Sequence, residues 1–386
     1  MYNGRLLPRC GAYSKEHHMK TDVFFIKPRH LNDRTLRMMF ENLAIPERIP
    51  EGASVALKLH FGEIDNYTHI RPGLVKKLVD LLKGQGARPF LTDTNTLYRH
   101  QRSNTFDHLR TAAAHGFTPE SMGCPIIIAD GLRNWSRTVT LDSPYRLKDI
   151  EVALGIADAD ALVTLTHLTL HELVGLGGVV KNIGMGCVAR GTKLRCHAVE
   201  GATVRLNHDR CIVCGTCVQV CPVDAYQKVN GRIEYTLEKC VGCGDCVHHC
   251  PVKAITPRWD TPHGEVHKGI IDSARGVLQA MEGKPVFHLM AAMDVTLHCD
   301  CLATSERFVP DIGLLGSTDP IALDRAAQDL LAEAPPSPGV AGAESTDKLQ
   351  THCPNIDMKA YWDLCTGAQI GTADYDLKPV TPPSRR

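Results

Sequence analysis

The chain has 386 residues, 43% of them apolar, which suffices for a sizeable core and more than one domain and argues against wholesale disorder. Lys plus Arg and Asp plus Glu both number 43, so the formal net charge is zero and offers no electrostatic footprint for nucleic acid or an anionic membrane. No apolar run approaches the length of a membrane span and the first twenty residues hold no apolar signal core, so no membrane insertion is expected and the expected location is cytoplasmic.

Residues 1–18 differ in texture from the rest of the chain and read as an N-terminal tail. From Met19 to residue 204 short β-branched runs alternate with helical stretches. Strands are expected at 23–26, 55–59, 88–91, 126–129 and 161–165, and helices at 72–83, 101–115 and 152–156. Pro72 suits the first turn of its helix. This rhythm predicts an α/β body with a largely parallel sheet. Residues 205–257 are dense in Cys and built on a repeat in which CVGCGDCVHHCPVKAI follows CIVCGTCVQVCPVDAY by 29 residues. The α/β pattern resumes over 258–386, with a helix at 270–281, strands at 286–290 and 312–315, and a helix at 320–331 that has Asp319 as N-cap and Pro320 at its first position. A loop over 335–346 precedes a helical segment at 356–364. The expected architecture is one α/β body, in two parts, interrupted by an insert.

Sixteen cysteines, half of them in one short stretch and with no export signal, point to metal ligation rather than disulfides. Each repeat has the spacing Cys-x2-Cys-x2-Cys-x3-Cys-Pro, in which three thiolates wrap one [4Fe–4S] cubane and the fourth reaches the other. The expected ligands are Cys211, Cys214, Cys217 and Cys250 for one cluster, and Cys240, Cys243, Cys246 and Cys221 for the second. Gly215, Gly242 and Gly244 allow tight turns that aim N–H groups at cluster sulfurs, while Pro222 and Pro251 stiffen the exits. Zinc is the competing metal for Cys-x2-Cys pairs, and a purely structural cluster competes with a redox one.

Before the insert, His167, His171, Lys181, Cys187, Cys196 and His197 lie among Gly175, Gly177, Gly178, Gly184 and Gly186. Such glycines permit positive φ and close approach of backbone to a ligand, a phosphate or a cofactor; a glycine-rich turn with satisfied histidines is the alternative. His167 and His171, four apart, share a face if helical. In HCDC, Cys299 and Cys301 share a face if extended, as metal chelators, a dithiol or simply buried thiols, with Cys187 the natural extra ligand of a third metal site. His60, Glu63, His69 and Arg71 follow one expected strand, and Asp93, Thr94 and Asn95 follow another; the carboxyl ends of parallel strands are where α/β proteins place ligands, although Asp and Asn also serve turns.

The segments KLHFGE, IRP, FLTDTNTLY, KNIGMGC, the double Cys run, CDC and DIGLLGSTDPIALD together resemble the Fe–S centre proteins of the domain-of-unknown-function 362 family. A fainter resemblance is to the nickel-pincer lactate racemases, whose spacing of His, Gly, Gly, Lys and His falls on His171, Gly175, Gly178, Lys181 and His197. It implies His171 as acid/base, Lys181 as anchor of a pyridinium-derived cofactor and His197 as metal ligand. The Thr-His-Ile-Arg-Pro stretch is similar to that family's Thr-Arg-Pro and implies a site role for Arg71. The site expected from all these features has His171, Lys181, His197 and His60 as catalytic groups, with Lys181, Gly177, Gly178, Asn182, Asp93 and Arg71 around an additional metal or organic cofactor. Three functions compete: an oxidoreductase or its electron-delivery subunit, in which two clusters serve a second site in the body; a ferredoxin-type module docking a partner enzyme; and a cofactor-dependent isomerase or lyase with structural clusters. The expected partner is a redox protein or a small-molecule substrate.

Overall fold

In the computed structural model, residues 20–198, 204–303, 306–340 and 342–382 are described, so the expected tail over 1–18 lies outside them. The body is organised by one eight-stranded sheet. Its strands are β1 (Thr21–Ile26), β2 (Ser54–Lys58), β3 (Arg88–Asp93), β4 (Ile126–Ile128), β5 (Ala161–His167), β6 (Val286–Ala292), β7 (Gly313–Ser317) and β8 (Tyr375–Pro379), in the spatial order β8-β1-β7-β6-β5-β2-β3-β4. Only β7 runs against its neighbours; every other adjacent pair is parallel. Parallel strands covered on both faces read as continuous apolar runs, and every residue of β5 is buried.

Alternation along the strands builds two cores. Val55, Leu57, Val163, Leu165 and Leu289 face one, with Phe40 and Leu78 from helices α1 (Asp33–Asn42) and α2 (Pro72–Gly84). Ala56, Leu162, Met290 and Ala292 face the other, with residues of α3 (Val179–Gly186), α4 (Arg190–Cys196), α5 (His263–Ala280) and α6 (Pro320–Glu333). Asp319 caps α6 by accepting from the N–H groups of Ile321 and Ala322 at 2.8 and 2.9 Å.

Several local expectations change. The helix expected from 101 starts at Thr105, because the Asn104 side chain caps it by accepting from Asp107 N–H at 3.0 Å. Residues Asp149–Ala153 are a strand paired with Ser136–Thr140, and only Leu154–Ala157 is helical; Ile150 and Val152, two apart, are both buried in the strand manner. The segment at 356–364 is helical as Met358–Gly367, after a short helix Lys348–His352.

The Cys-rich segment is closed at its base by Val204–Leu206 pairing antiparallel with Ile255–Pro257. The 29-residue repeat is visible in the backbone: Gly215 and Gly244 both have φ of 82°, and the positive φ of Val213 and Asp224 recurs at Gly242 and Lys253. Each left-handed glycine starts a short helix, Thr216–Val220 or Asp245–His249. A small core of Tyr226, Ile233, Val247 and Ile255 also takes in Leu97 and Leu194 of the body. Three arginines pin the segment down. Arg99 donates to the Cys250 carbonyl, Arg195 to the Val241 carbonyl at 3.5 Å, and Arg190 bridges the Ser103 carbonyl at 3.2 Å and Asp245 at 3.8 Å.

Candidate functional site

Because β2, β3, β5 and β6 run the same way, their carboxyl ends gather at one edge of the sheet. A cavity of about 310 Å³ opens there. Lys58 and His60 reach it from β2, Asp93, Thr94 and Tyr98 from β3, Thr166 and His167 from β5, and the loop from His298 to Leu302 after β6. The rest of the lining includes His171, Gly177, Gly178, Lys181, Asn182, Lys193, His197 and Trp259.

The floor is a buried ionic network. Lys58 Nζ lies 3.0 Å from Asp93 Oδ1 and donates to Asn182 Oδ1 at 2.8 Å, while Arg102 and His108 approach Asp93 Oδ2 at 3.3 and 3.5 Å. Burial alone would raise the Asp93 carboxyl; Lys58 and His108 hold it well below the usual carboxylate range. Asn182 also donates to Thr166 Oγ1 at 3.0 Å, tying α3 to β5. Lys193 donates to Thr94 Oγ1 at 2.7 Å and to the Asn95 carbonyl, and burial pulls its ammonium down to about 8.

The histidines divide by charge. His167 presents Nδ1 to Asp300 Oδ2 and Nε2 to the Met293 carbonyl, both at 2.8 Å; two acceptors suit an imidazolium, and Asp300 outweighs burial to raise its pKa. His171 is driven well below its usual value by burial and by Lys181. Its Nδ1 accepts from Leu173 N–H at 3.1 Å, so the neutral ring carries its proton on Nε2. Burial, then Arg146 and Lys181, push His197 down to about 4.

Cys299 and Cys301 sit on the cavity rim in a turn closed by Leu302 N–H on the Cys299 carbonyl at 3.1 Å, not in an extended strand. His60 Nε2 and Arg102 Nη2 each lie 3.5 Å from Cys301 Sγ, and the Tyr98 hydroxyl and Cys299 thiol also bond to it. The Cys299 thiol, then His60 and Arg102, hold Cys301 well below the usual thiol range against the effect of burial; Cys299 is pushed up.

Other expected site residues go elsewhere. Cys187 is buried in the core with Sγ directed at the Asn182 carbonyl and does not line the cavity, so it is not a third ligand beside Cys299 and Cys301. Arg71 is held by Asp294 at 2.6 Å and Asp311 at 2.9 Å, away from the cavity lining, so it serves as a tether rather than a cofactor contact. His69 stacks on His115 with ring centroids 4.1 Å apart, and Glu63 pairs with Arg102 and His100. Cys196 is buried against Ser273. His167 and His171 end two different strands, so they do not share a helix face.

The glycines serve packing. A Cβ at Gly178 would strike Asp324, one at Gly177 the Thr169 hydroxyl, and one at Gly184 the Ile270 carbonyl; of the five, only Gly175 has positive φ. Asp324 accepts from Val179 and Val180 N–H at 2.5 and 3.0 Å, so a protein carboxylate, not a ligand anion, occupies the first turn of α3. Residues not singled out in the sequence, Lys58, Tyr98, Arg102, Lys193 and Trp259, complete the site. Lys58 carried a signal, a cation ending an apolar run whose strand is buried on both faces.

In the Cys-rich segment, Cys211, Cys214, Cys217 and Cys250 line one small void, and Cys221, Cys240, Cys243 and Cys246 line a second. Repeat-related amides face repeat-related sulfurs: Ala225 N–H to Cys221 Sγ and Ala254 N–H to Cys250 Sγ, both at 3.2 Å. No three His, Cys, Asp or Glu among the described residues close on a single ion. In a cubane each thiolate binds a different iron, so four sulfurs spaced around a void suit it better than one metal.

The family described as Domain of unknown function (DUF362) matches residues 55–329. A 32-residue stretch, 8% of the chain, is 50% identical to Ferredoxin-2 of Desulfomicrobium norvegicum and covers 54% of that protein. In structure the chain is similar to a protein from Thermotoga maritima, with 12% identity, a TM-score of 0.40, and coverage of 70% of this chain and 52% of the other. It is also similar to the lactate racemase apoprotein from Thermoanaerobacterium thermosaccharolyticum, with 12% identity, a TM-score of 0.38, and coverage of 78% and 54%. The chain thus spans about half the length of each of these proteins. No helix among the described residues is long and apolar enough to cross a membrane.

Proposed function

The chain belongs to the family described as Domain of unknown function (DUF362), and from that premise we propose an iron–sulfur protein in which two [4Fe–4S] clusters relay electrons to or from the sheet-edge cavity, as an oxidoreductase or its electron-delivery subunit. The observation that carries this reading is the sorting of the eight cysteines of the insert, 205–257, around two voids. Cys211, Cys214, Cys217 and Cys250 would hold one cluster, and Cys240, Cys243, Cys246 and Cys221 the other. When bound, such clusters supply one-electron transfer.

The body's residues connect these voids to the cavity. Leu194 lines the second void while the preceding Lys193 lines the cavity. Arg99 holds the Cys250 carbonyl beside the first void, and the preceding Tyr98 lines the cavity. Within the cavity the buried acids are matched, Asp93 by Lys58 and Arg102, and Asp300 by His167. Lys181 makes no ion pair among the described residues, and Lys193 hydrogen-bonds only to neutral oxygens. The Lys193 ammonium is engaged by those oxygens and faces the buried Asp130, whereas that of Lys181 is available to an anionic organic substrate or cofactor. His171 and His197, held neutral, are placed to exchange protons with it, and His60 faces Cys301. In this reading the body, residues 19–204 and 258–386, is a cytoplasmic partner of a redox protein or a small-molecule substrate.

Anaerobic purification with metal analysis and EPR tests this. The expected result is about eight irons per chain and two interacting reduced cubane signals; stoichiometric zinc without iron overturns it. A second reading, a cofactor-dependent isomerase or lyase with structural clusters, is favoured by one observation, that His171, Lys181 and His197 line a single cavity. Intact-mass analysis separates the two readings: an adduct on Lys181, with activity that persists when the clusters are locked oxidised, supports the isomerase.

A further inference from the structure

Cys301 Sγ is surrounded by donors. The His60 Nδ1 accepts from Gly62 N–H at 3.0 Å, so the neutral imidazole carries its proton on Nε2, the atom 3.5 Å from the sulfur. The Arg102 guanidinium, which has no acceptor, stands at 3.5 Å from the same sulfur. Arg102 also donates to the Tyr98 oxygen at 2.6 Å, which leaves the Tyr98 hydroxyl proton to point at Cys301. With donors on these sides, the state of the sulfur that satisfies them is the thiolate. The neighbouring Cys301, then burial, push the Cys299 thiol up, so Cys299 keeps its proton beside it. The turn from Cys299 to Leu302 closes by an i to i+3 hydrogen bond at 3.1 Å. Such a turn brings its ends, Cys299 and Leu302, within about 7 Å and folds the chain back at Asp300 and Cys301 between them, so both cysteines belong to one tight turn. Both cysteines are partly exposed and face the 310 Å³ cavity.

We infer that Cys301 and Cys299 are the attacking and resolving cysteines of a thiol–disulfide exchange site, whose substrate is a small-molecule disulfide admitted to the cavity. In the first step the Cys301 thiolate attacks one sulfur of R–S–S–R, a Cys301–S–S–R bond forms and R–S⁻ leaves. In the second, Cys299 gives up its proton and attacks the Cys301 sulfur; the Cys299–Cys301 disulfide forms and the second R–S⁻ leaves. The balance is one thiolate, one thiol and one disulfide converted to one protein disulfide, one R–S⁻ and one R–SH, so two electrons pass to the substrate. The same steps in reverse, with a small dithiol, reset the pair. His60, Arg102 and Tyr98 act as positioning residues that keep Cys301 ionised.

The test uses the full-length protein with its clusters, under anaerobic conditions, with glutathione and glutathione disulfide as the probe couple and peptide mass mapping as the readout. Wild type should show an internal Cys299–Cys301 disulfide as the oxidised fraction rises, with no stable glutathione adduct. Cys299→Ser should trap a glutathione mixed disulfide on Cys301. Cys301→Ser should lose the internal bond, and its Cys299 should take up glutathione at least tenfold more slowly than Cys301 does in the other variant. Similar capture rates in the two variants overturn the assignment. So does a wild-type pair that stays reduced at every glutathione ratio, or one found holding a metal, and the wild-type measurement stands even where a variant fails to fold. Cluster EPR signals are read separately, so failure of the cluster reading and failure of this one are distinguishable.

Discussion

Replacing Gly178 with Ala adds one carbon where the fold has no space for it. Gly178 has φ of −100°, a conformation Ala adopts without strain, so the backbone itself opposes nothing. The new Cβ would instead lie 2.5 Å from Cγ and Oδ2 of Asp324 and closer still to Oδ1. Asp324 is 1% exposed and has little room to move. Moving its carboxylate releases the N–H groups of Val179 and Val180, donors with no partner inside the helix. A buried donor left without its partner costs roughly 1–3 kcal/mol, so releasing one or both costs roughly 1–6 kcal/mol, a fall in Tm of a few degrees. A double-mutant cycle with Asp324→Ala, followed by urea or thermal unfolding, isolates the effect. In the Asp324→Ala background the added methyl should cost under about 0.5 kcal/mol, because its obstacle is gone. An equal penalty for Gly178→Ala in both backgrounds would falsify the capping argument.

Lys58→Met leaves Asp93 without its nearest cation in a region only 1% to 3% exposed, and stability should fall by roughly 3–5 kcal/mol; a Cm within error of wild type would refute the ionic floor. Burial holds His108 and His197 at about 4 and His288 at about 3, so the unfolded chain takes up protons near its ordinary histidine pKa while the native rings stay neutral. Stability should therefore decline as pH falls from about 6.5 to 4, opposed in part by Asp324, whose carboxyl is raised to about 7, by Asp130 and Asp319, also raised by burial, and by His167, raised by Asp300, all of which favour the fold as they protonate; a urea midpoint that holds or rises over that range would count against it. Cys250→Ser should disturb the same EPR signal as Cys211→Ser although 39 residues separate them, and Cys221→Ser should group with Cys240→Ser. The opposite grouping would reassign both ligand sets.

The body was legible in the sequence because doubly covered parallel strands carry short apolar runs, as in Val55–Leu57 of β2, Ala161–Val163 of β5 and Leu289–Ala292 of β6, with polar residues gathered toward the carboxyl ends of β2, β3 and β5. Strand direction was not: nothing in Gly-Leu-Leu-Gly-Ser marks β7 as antiparallel, and β8 is an exposed edge strand with weak apolar content. The strand-end rule indicated His60 and Asp93, which do line the cavity, whereas His171, Lys181 and His197 were indicated by their spacing in the Gly-rich stretch, and their meeting with Cys299 and Cys301 is tertiary. The glycines, by contrast, indicated only that something approaches the backbone closely, and here it is Asp324, Thr169 and Ile270. Arg71 was expected beside a cofactor, yet its partner Asp294 lies 223 residues along the chain, beyond any local pattern. Arg102 and Lys193 are likewise site residues by tertiary route, and the segment around Arg102 read locally as the start of a helix.

The insert's attachment follows from the same geometry. The fourth cysteine of each run lines the void of the other, so the two halves of the repeat cannot shift independently without opening both voids. Arg99 on the Cys250 carbonyl and Arg195 on the Val241 carbonyl hold backbone beside opposite voids, and Arg190 braces Asp245 between them. These arginines engage backbone carbonyls and leave the cysteine sulfurs unobstructed, while fixing the repeat to α4 and to the loop after β3, the same two elements that send Lys193 and Tyr98 into the cavity. Tyr98 and Arg102, which reach Cys301, belong to the same loop that Arg99 ties to the Cys250 carbonyl. The anchoring arginines therefore set how closely the cavity and the two voids are held together.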